Sequence, residues 1–311
     1  MEDLMRFLQR CRWLLDPQGV SAAPKQDVKS RRQDRVQNVM NLMLHGFNAA
    51  LETDAATLTK HLSGMSLIDQ SIMYEGAFMA LGSIDLAGSA NLERVSAVDG
   101  FNGAWVKQMF QGLGGAIWKL DIPVAFYPAE VNQSWGWLAI SGYGCHGGYF
   151  NWPQFIHRQE IPVGMKGLSR KAFDQGIGSS MWFVSGCEPK LILELISKFP
   201  EERKADLWNG LGLAIGIWGM EDRKDLIRLL NGAKKYRAQF QAGVGFGVWV
   251  RAQAKEVTDY SEGACHTICC ASVDYIESSI SNQLSDIGGA PKDSIEFLKW
   301  KNNVAGIFEH S

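Results

Sequence analysis

The sequence predicts an all-α protein built from helical repeats, and three observations carry that prediction. A short apolar phrase centred on glycine returns seven times along the chain. Its spacing is that of helix–turn–helix arrays. The segments between copies read as short amphipathic helices, without the alternating strands and Asn-Gly turns of an all-β chain.

The phrase occurs as LHGFNAALE (44–52), MYEGAFMAL (73–81), MFQGLGGAIW (109–118), ISGYGCHGGYF (140–150), FDQGIGSSMWF (173–183), LWNGLGLAIGIW (207–218) and FQAGVGFGVWV (240–250). Its anchor glycines are Gly46, Gly76, Gly112, Gly142, Gly176, Gly210 and Gly243, separated by 30, 36, 30, 34, 34 and 33 residues. A period near 33 predicts helical hairpins stacked as a tetratricopeptide-like solenoid or a closed α/α array. Five copies carry a second glycine two positions on, at Gly114, Gly144, Gly178, Gly212 and Gly245. Glycine inside a helix costs about 0.5–1 kcal/mol relative to alanine, so so many imply close backbone approach at a packing seam. Trp118, Tyr149, Trp182, Trp218 and Trp249 follow the glycines and can fill the space beside them.

Leu4, Phe7, Leu8, Cys11, Leu14 and Leu15 keep helical spacing, so residues 1–16 read as an amphipathic helix that stops at Pro17. Residues 17–35 hold almost no large apolar side chain and read as a polar linker. The repeat domain then occupies 36–311. Within it Pro189 and Pro200 each open a helix, the latter with Glu201 and Glu202 in the first turn. Asp222 reads as the N-cap of a helix whose apolar face is Leu226, Leu229 and Leu230, with Asn231-Gly232 as its stop.

The 33 acidic and 31 basic side chains nearly cancel, which argues against nucleic acid or an anionic membrane as main partner. No segment approaches the ~20 apolar residues of a membrane span. Glu2, Asp3 and the frequent charges after them are unlike a signal peptide. Six irregularly spaced cysteines suit a reducing compartment and free thiols, so a cytoplasmic protein is expected.

Familiar chemical motifs are few. The repeated GxG lies inside amphipathic helices rather than after a strand, which rejects a dinucleotide loop. EDRKD (221–225) faintly resembles an acidic Mg²⁺ motif, but it sits where a helix needs a cap. CHTICC (265–270) lacks the second ligand pair that zinc requires. No cofactor and no metal site is therefore expected, with Mg²⁺ at EDRKD kept as the alternative.

The residues before the anchor glycines are His45, Glu75, Gln111, Ser141, Gln175, Asn209 and Ala242. Equivalent positions of a repeat array share a surface, so they form a polar row, either lining a groove or bonding across seams. GYGCHGGYF brings Tyr143, Cys145, His146 and Tyr149 together among glycines. His146 has the chemistry of a general acid or base, and equally of a structural histidine. Asp174 and Glu75 lie in apolar helices, where desolvation raises a carboxyl pKa into a range useful for proton transfer. An ion pair or a cap is the alternative for both.

HGFNAALE, YEGAFMAL, SWGWLAISGYGCHGGYF, FDQGIGSSMWFV and FPEERKADLWNGLGLA, in that order, resemble the UnbL-type bacterial family over roughly residues 40–275. That family is associated with biosynthetic gene clusters, notably those for enediyne polyketides. The resemblance implies a role in secondary metabolism and carries over no catalytic residue. Gly147 departs from it, since relatives hold a larger polar residue after the histidine. A likeness to tetratricopeptide and Sel1-like arrays concerns fold alone.

Together these features predict a biosynthetic enzyme acting on a large apolar polyene or isoprenoid, cyclase- or isomerase-like and without redox chemistry. Asp174, His146 and Glu75 are the candidate proton-transfer groups. Tyr143, Tyr149, Gln111, Gln175, Trp118, Trp182 and Trp249 are the candidate substrate contacts. The alternative is a non-catalytic helical-repeat scaffold or binding protein for a partner enzyme, a carrier domain or a hydrophobic ligand.

Overall fold

The computed structural model describes residues 31–88, 92–98, 105–123, 135–286 and 294–308. Among the described residues all regular structure is helical and there is no strand. The first helices are α1 (Arg31–Glu52), α2 (Ala55–Ser63), α3 (Leu67–Gly88), α4 (Glu93–Ser96), α5 (Val106–Lys119) and α6 (Gly136–Phe150). They are followed by α7 (Gly167–Val184), α8 (Pro189–Ser197), α9 (Glu201–Trp218), α10 (Arg223–Ala233) and α11 (Arg237–Gln253). The chain continues through α12 (Asp259–Ala264), α13 (Val273–Ser285) and α14 (Ser294–Gly306).

The helix expected over 1–16 and most of the expected linker lie outside the described residues. Residues 31–35, assigned to that linker, are instead the start of α1. Tertiary contacts override their polar composition. Arg32 Nη1 donates to Glu188 at 2.5 Å and its Nη2 pairs with Asp225, while Arg35 Nε donates to the Trp218 carbonyl at 2.6 Å.

Each of the seven phrases lies in one of the long helices α1, α3, α5, α6, α7, α9 and α11. These pack in chain order, every one against the next. Glycine is required at the crossings because helix backbones touch there. A Cβ on Gly176 would overlap the Ser141 carbonyl oxygen, and one on Gly210 that of Gln175. From α3 onward successive long helices run in the same direction. Gly112 faces Glu75 while Ala116 lies near Gly82, and Asp174 meets Arg203 while Trp182 meets Gly219. Among the described residues shorter elements lie between several of them, including α8, α10 and a π-helical turn at Pro153–His157.

The helix starts follow their expected chemistry, whereas α10 runs through the expected stop at Asn231-Gly232 to Ala233. Pro189 opens α8, Pro200 precedes α9, and the Asp222 carboxylate accepts from the Lys224 backbone N–H at 2.8 Å. Gly219 ends α9 at φ +74°, a left-handed conformation that favours glycine. Two helices also meet across the molecule. Arg251 on α11 donates to Ser71 Oγ on α3 at 3.2 Å and to the Ile217 carbonyl of α9 at 2.8 Å, and pairs with Glu256 at 2.8 Å. No helix of the described residues is long and apolar enough to cross a membrane.

Candidate functional site

Six of the long helices line one cavity. It is lined by Glu75 and Ser71 of α3, Lys107, Gln108 and Gln111 of α5, Leu138 and Cys145 of α6, and Ser179 of α7. Ile72 of α3, Leu213, Ile217 and Trp218 of α9, and Phe246 and Val250 of α11 complete the wall. The space between its walls, counted out into open solvent, is about 520 Å³, and it is narrow, with room for ordered water at its widest.

Glu75 reaches this cavity because Gly112 lets α5 close on the Glu75 backbone. Its carboxyl is buried and pushed up to about 8 by desolvation, so at neutral pH it is mostly a neutral acid. Oε1 lies 3.7 Å from Nε2 of His146, which is also buried. Gly115 makes room for the imidazole, since a Cβ there would stand 2.9 Å from the ring. His146 Nδ1 donates to the Gly142 carbonyl at 2.9 Å. That oxygen can only accept, so Nδ1 carries the proton and Nε2 is left as a free lone pair. Desolvation lowers the His146 pKa to about 4, against the effect of the Gly142 bond, so the ring is neutral. Glu75 and His146 are thus a neutral pair, one able to give a proton and the other to accept it.

The same region holds several buried polar atoms without partners. They are both amide atoms of Gln108, Oε1 of Gln111, Oγ of Ser141 and Nε2 of His146. Native interiors seldom leave such atoms unpaired unless water or a ligand joins them. Lys107 adds a half-buried ammonium, 4.5 Å from the Trp249 ring centre and 5.0 Å from that of Trp135. Burial lowers its pKa to about 8.

A second, smaller cavity of about 280 Å³ lies between α7, α9, α11 and α14. Gln175, Asn209 and Ala242 line it, facing Phe297, Trp300, Lys301 and Val304 of α14. Lys301 Nζ donates to Gln175 Oε1 at 2.9 Å and pairs with Asp206 at 3.2 Å. The polar row is therefore divided. Glu75 and Gln111 face the first cavity, Gln175 and Asn209 face the covering helix, and His45 is exposed beside His61.

Asp174 differs from its expected role as an available acid. Its Oδ1 accepts two bonds from Arg203, at 2.9 and 2.5 Å, and it lines neither cavity. Burial raises its pKa while the Arg203 guanidinium opposes that rise. The aromatic candidates are also placed mostly in seams. Trp182 donates to the Gly219 carbonyl at 3.0 Å, Trp118 stacks on Phe150, Tyr143 leans on Phe173, and Tyr149 meets Phe150 and Phe183 edge-on. Trp249 packs on Phe246 and under Lys107, with its Nε1 donating to Ser281 Oγ at 3.0 Å. Both aspartates of EDRKD are occupied too, Asp222 in its cap and Asp225 by Arg32. Among the described residues no group of three or more His, Cys, Asp or Glu could hold a metal ion.

Residues 19–308 match the family described as Protein of unknown function (DUF1702). The chain belongs to that family. No curated protein and no solved structure shows detectable similarity to it. In this DUF1702 chain, sequence reasoning missed Lys107 and Gln108. A lysine ahead of a repeat phrase reads as a solvated helix end. The available signal was Lys107, Gln108 and Gln111 at i, i+1 and i+4 on a helix otherwise apolar up to its final residue, Lys119.

Proposed function

We propose that the protein is an acid–base enzyme of natural-product metabolism, acting in the cytoplasm on an apolar, unsaturated substrate with cyclase- or isomerase-like chemistry. The carrying observation is the buried Glu75, held protonated in the cavity wall 3.7 Å from the bare Nε2 of His146. The Glu75 acid gives its proton to a substrate double bond, and its carboxylate takes one back from a neighbouring carbon. The bond shifts without net oxidation or proton loss. His146 is a positioning residue, its bare Nε2 facing the Glu75 carboxyl at 3.7 Å and favouring its protonated form. Trp218 and Phe246 line the cavity, and aromatic rings there stabilise developing positive charge in the substrate.

The resemblance over residues 40–275 supports the metabolic setting. We read the long helices as a tetratricopeptide-like repeat array curled until α11 meets α3 at Arg251 and Ser71. Such closure favours an enclosed reaction chamber over an open scaffold groove, and α14 covers the groove that a partner protein would need. A polyene or isoprenoid enters only if the narrow lining rearranges.

The test is incubation in D₂O with an apolar extract of cells that make the protein, followed by mass spectrometry. Wild type is expected to place deuterium on carbon in an unsaturated component, and Glu75→Gln to lose that exchange while remaining folded. Equal exchange by wild type and Glu75→Gln, or none by wild type, overturns the reading.

A further inference from the structure

We propose that the cavity between α3, α5 and α11 binds a carboxylate on an apolar chain, with Lys107 as its counter-ion and Gln108 and Gln111 as its hydrogen-bonding partners. The inference rests on reading this cavity as the substrate site, and it names the polar end of that substrate. Lys107 makes no ion pair or hydrogen bond among the described residues. Its contacts are the ring faces of Trp135 and Trp249. Ring faces compensate an ammonium only partly, and a half-buried charge without a counter-ion is costly.

Gln108 supplies an independent observation. It is 4% exposed, lines the cavity, and leaves both its amide nitrogen and its amide oxygen unpaired. An unpaired buried amide N–H carries an uncompensated desolvation cost, which a ligand oxygen removes. A carboxylate offers two acceptor oxygens, one for the ammonium and one for the amide. The unpaired Oε1 of Gln111 accepts from a water on the head group.

The charge count narrows the ligand class. With Glu75 protonated, Lys107 is the single charged residue of the lining. One cation balances one negative charge, which fits a carboxylate and not a diphosphate. The remaining wall is Ile72, Leu138, Leu213, Ile217, Phe246 and Val250, which suits a hydrocarbon chain.

Titration calorimetry of the full chain with octanoate and octan-1-ol tests this. At pH 7 octanoate is expected to bind at least tenfold more tightly than octanol. Lys107→Met should remove that preference and leave octanol affinity unchanged, and Gln108→Leu should weaken octanoate severalfold. If Lys107→Met fails to fold, Glu75→Gln gives the answer, because with the Glu75 charge removed octanoate affinity should still fall between pH 7 and 9.5 as Lys107 loses its proton, while octanol affinity stays level. Equal affinity for the two ligands, an unchanged preference in Lys107→Met, or no octanoate binding at millimolar concentration overturns the proposal. Glu75→Gln is expected to keep octanoate binding, so loss of the acid role and loss of the carboxylate site are distinguishable.

Discussion

Glu75 on α3 and His146 on α6 meet inside the protein with 3.7 Å between Oε1 and Nε2, although neither helix packs directly on the other in chain order. The intervening α5 makes this possible with two glycines. Gly112 brings it against the Glu75 backbone, and Gly115 leaves the space that the imidazole fills. Gly115→Ala should displace His146 and reduce Glu75-dependent exchange about tenfold or more while octanoate binding persists. The same mass-spectrometric exchange assay, run beside calorimetry, reads both.

Stability should depend on pH through this pair. The Glu75 carboxyl ionises near 4.5 in the unfolded chain and near 8 in the folded one. The folded state holds the extra proton between those values, so this contribution is full below pH 4.5 and is lost as pH rises through 8. The slope is up to about 1.4 kcal/mol per pH unit. His146 acts in the opposite sense, its contribution being present above pH 6.5 and lost as pH falls through 4. Glu75→Gln removes only the first effect. Its stability relative to wild type, from urea melts at pH 5, 6.5 and 8, should therefore climb steadily; parallel curves would contradict the buried neutral acid.

Asp174→Asn should destabilise the protein by about 3–5 kcal/mol. It leaves Arg203, which is 2% exposed, without the carboxylate that accepts its two hydrogen bonds. Thermal melts distinguish this from an acid role, in which the substitution keeps the fold intact and abolishes turnover.

Two glycine substitutions should have opposite signs. Gly210→Ala drives a methyl into the Gln175 carbonyl at the α7–α9 crossing and should cost 3 kcal/mol or more, on the order of severe overpacking. Gly263 in α12 has nothing within 4 Å of a built Cβ, so Gly263→Ala should stabilise by about 0.5–1 kcal/mol. Melting temperatures of the two variants suffice.

Gln111→Ala and Gln175→Ala should also part company, although their positions in the repeat are equivalent. Gln111 Oε1 faces the cavity unpaired, so its loss should leave stability nearly unchanged and weaken octanoate. Gln175 Oε1 accepts from Lys301, so its truncation should cost about 1–2 kcal/mol and leave octanoate affinity alone. Urea melts and calorimetry on both variants check the division.

The sequence by itself determined the helical class, the seven long helices, their crossings at glycine and several of their caps, because each rests on local spacing or on steric need. A period near 33 and a glycine where backbones touch are properties of the chain that folding only expresses. Glu75 and His146 were legible as candidates for the same reason, being polar groups on apolar helices. Their meeting was not legible, since it depends on a third helix lying between them. Asp174 has a similar sequence signal to Glu75, and only the tertiary structure separates them by putting Arg203 beside one and leaving the other unpaired by any cation. Lys107 shows the converse, because a lysine at a helix start reads as solvated until two tryptophans from α11 and from just before α6 cover it. Charge state and accessibility are set by neighbours distant in sequence, and those neighbours are chosen by how the helices cross.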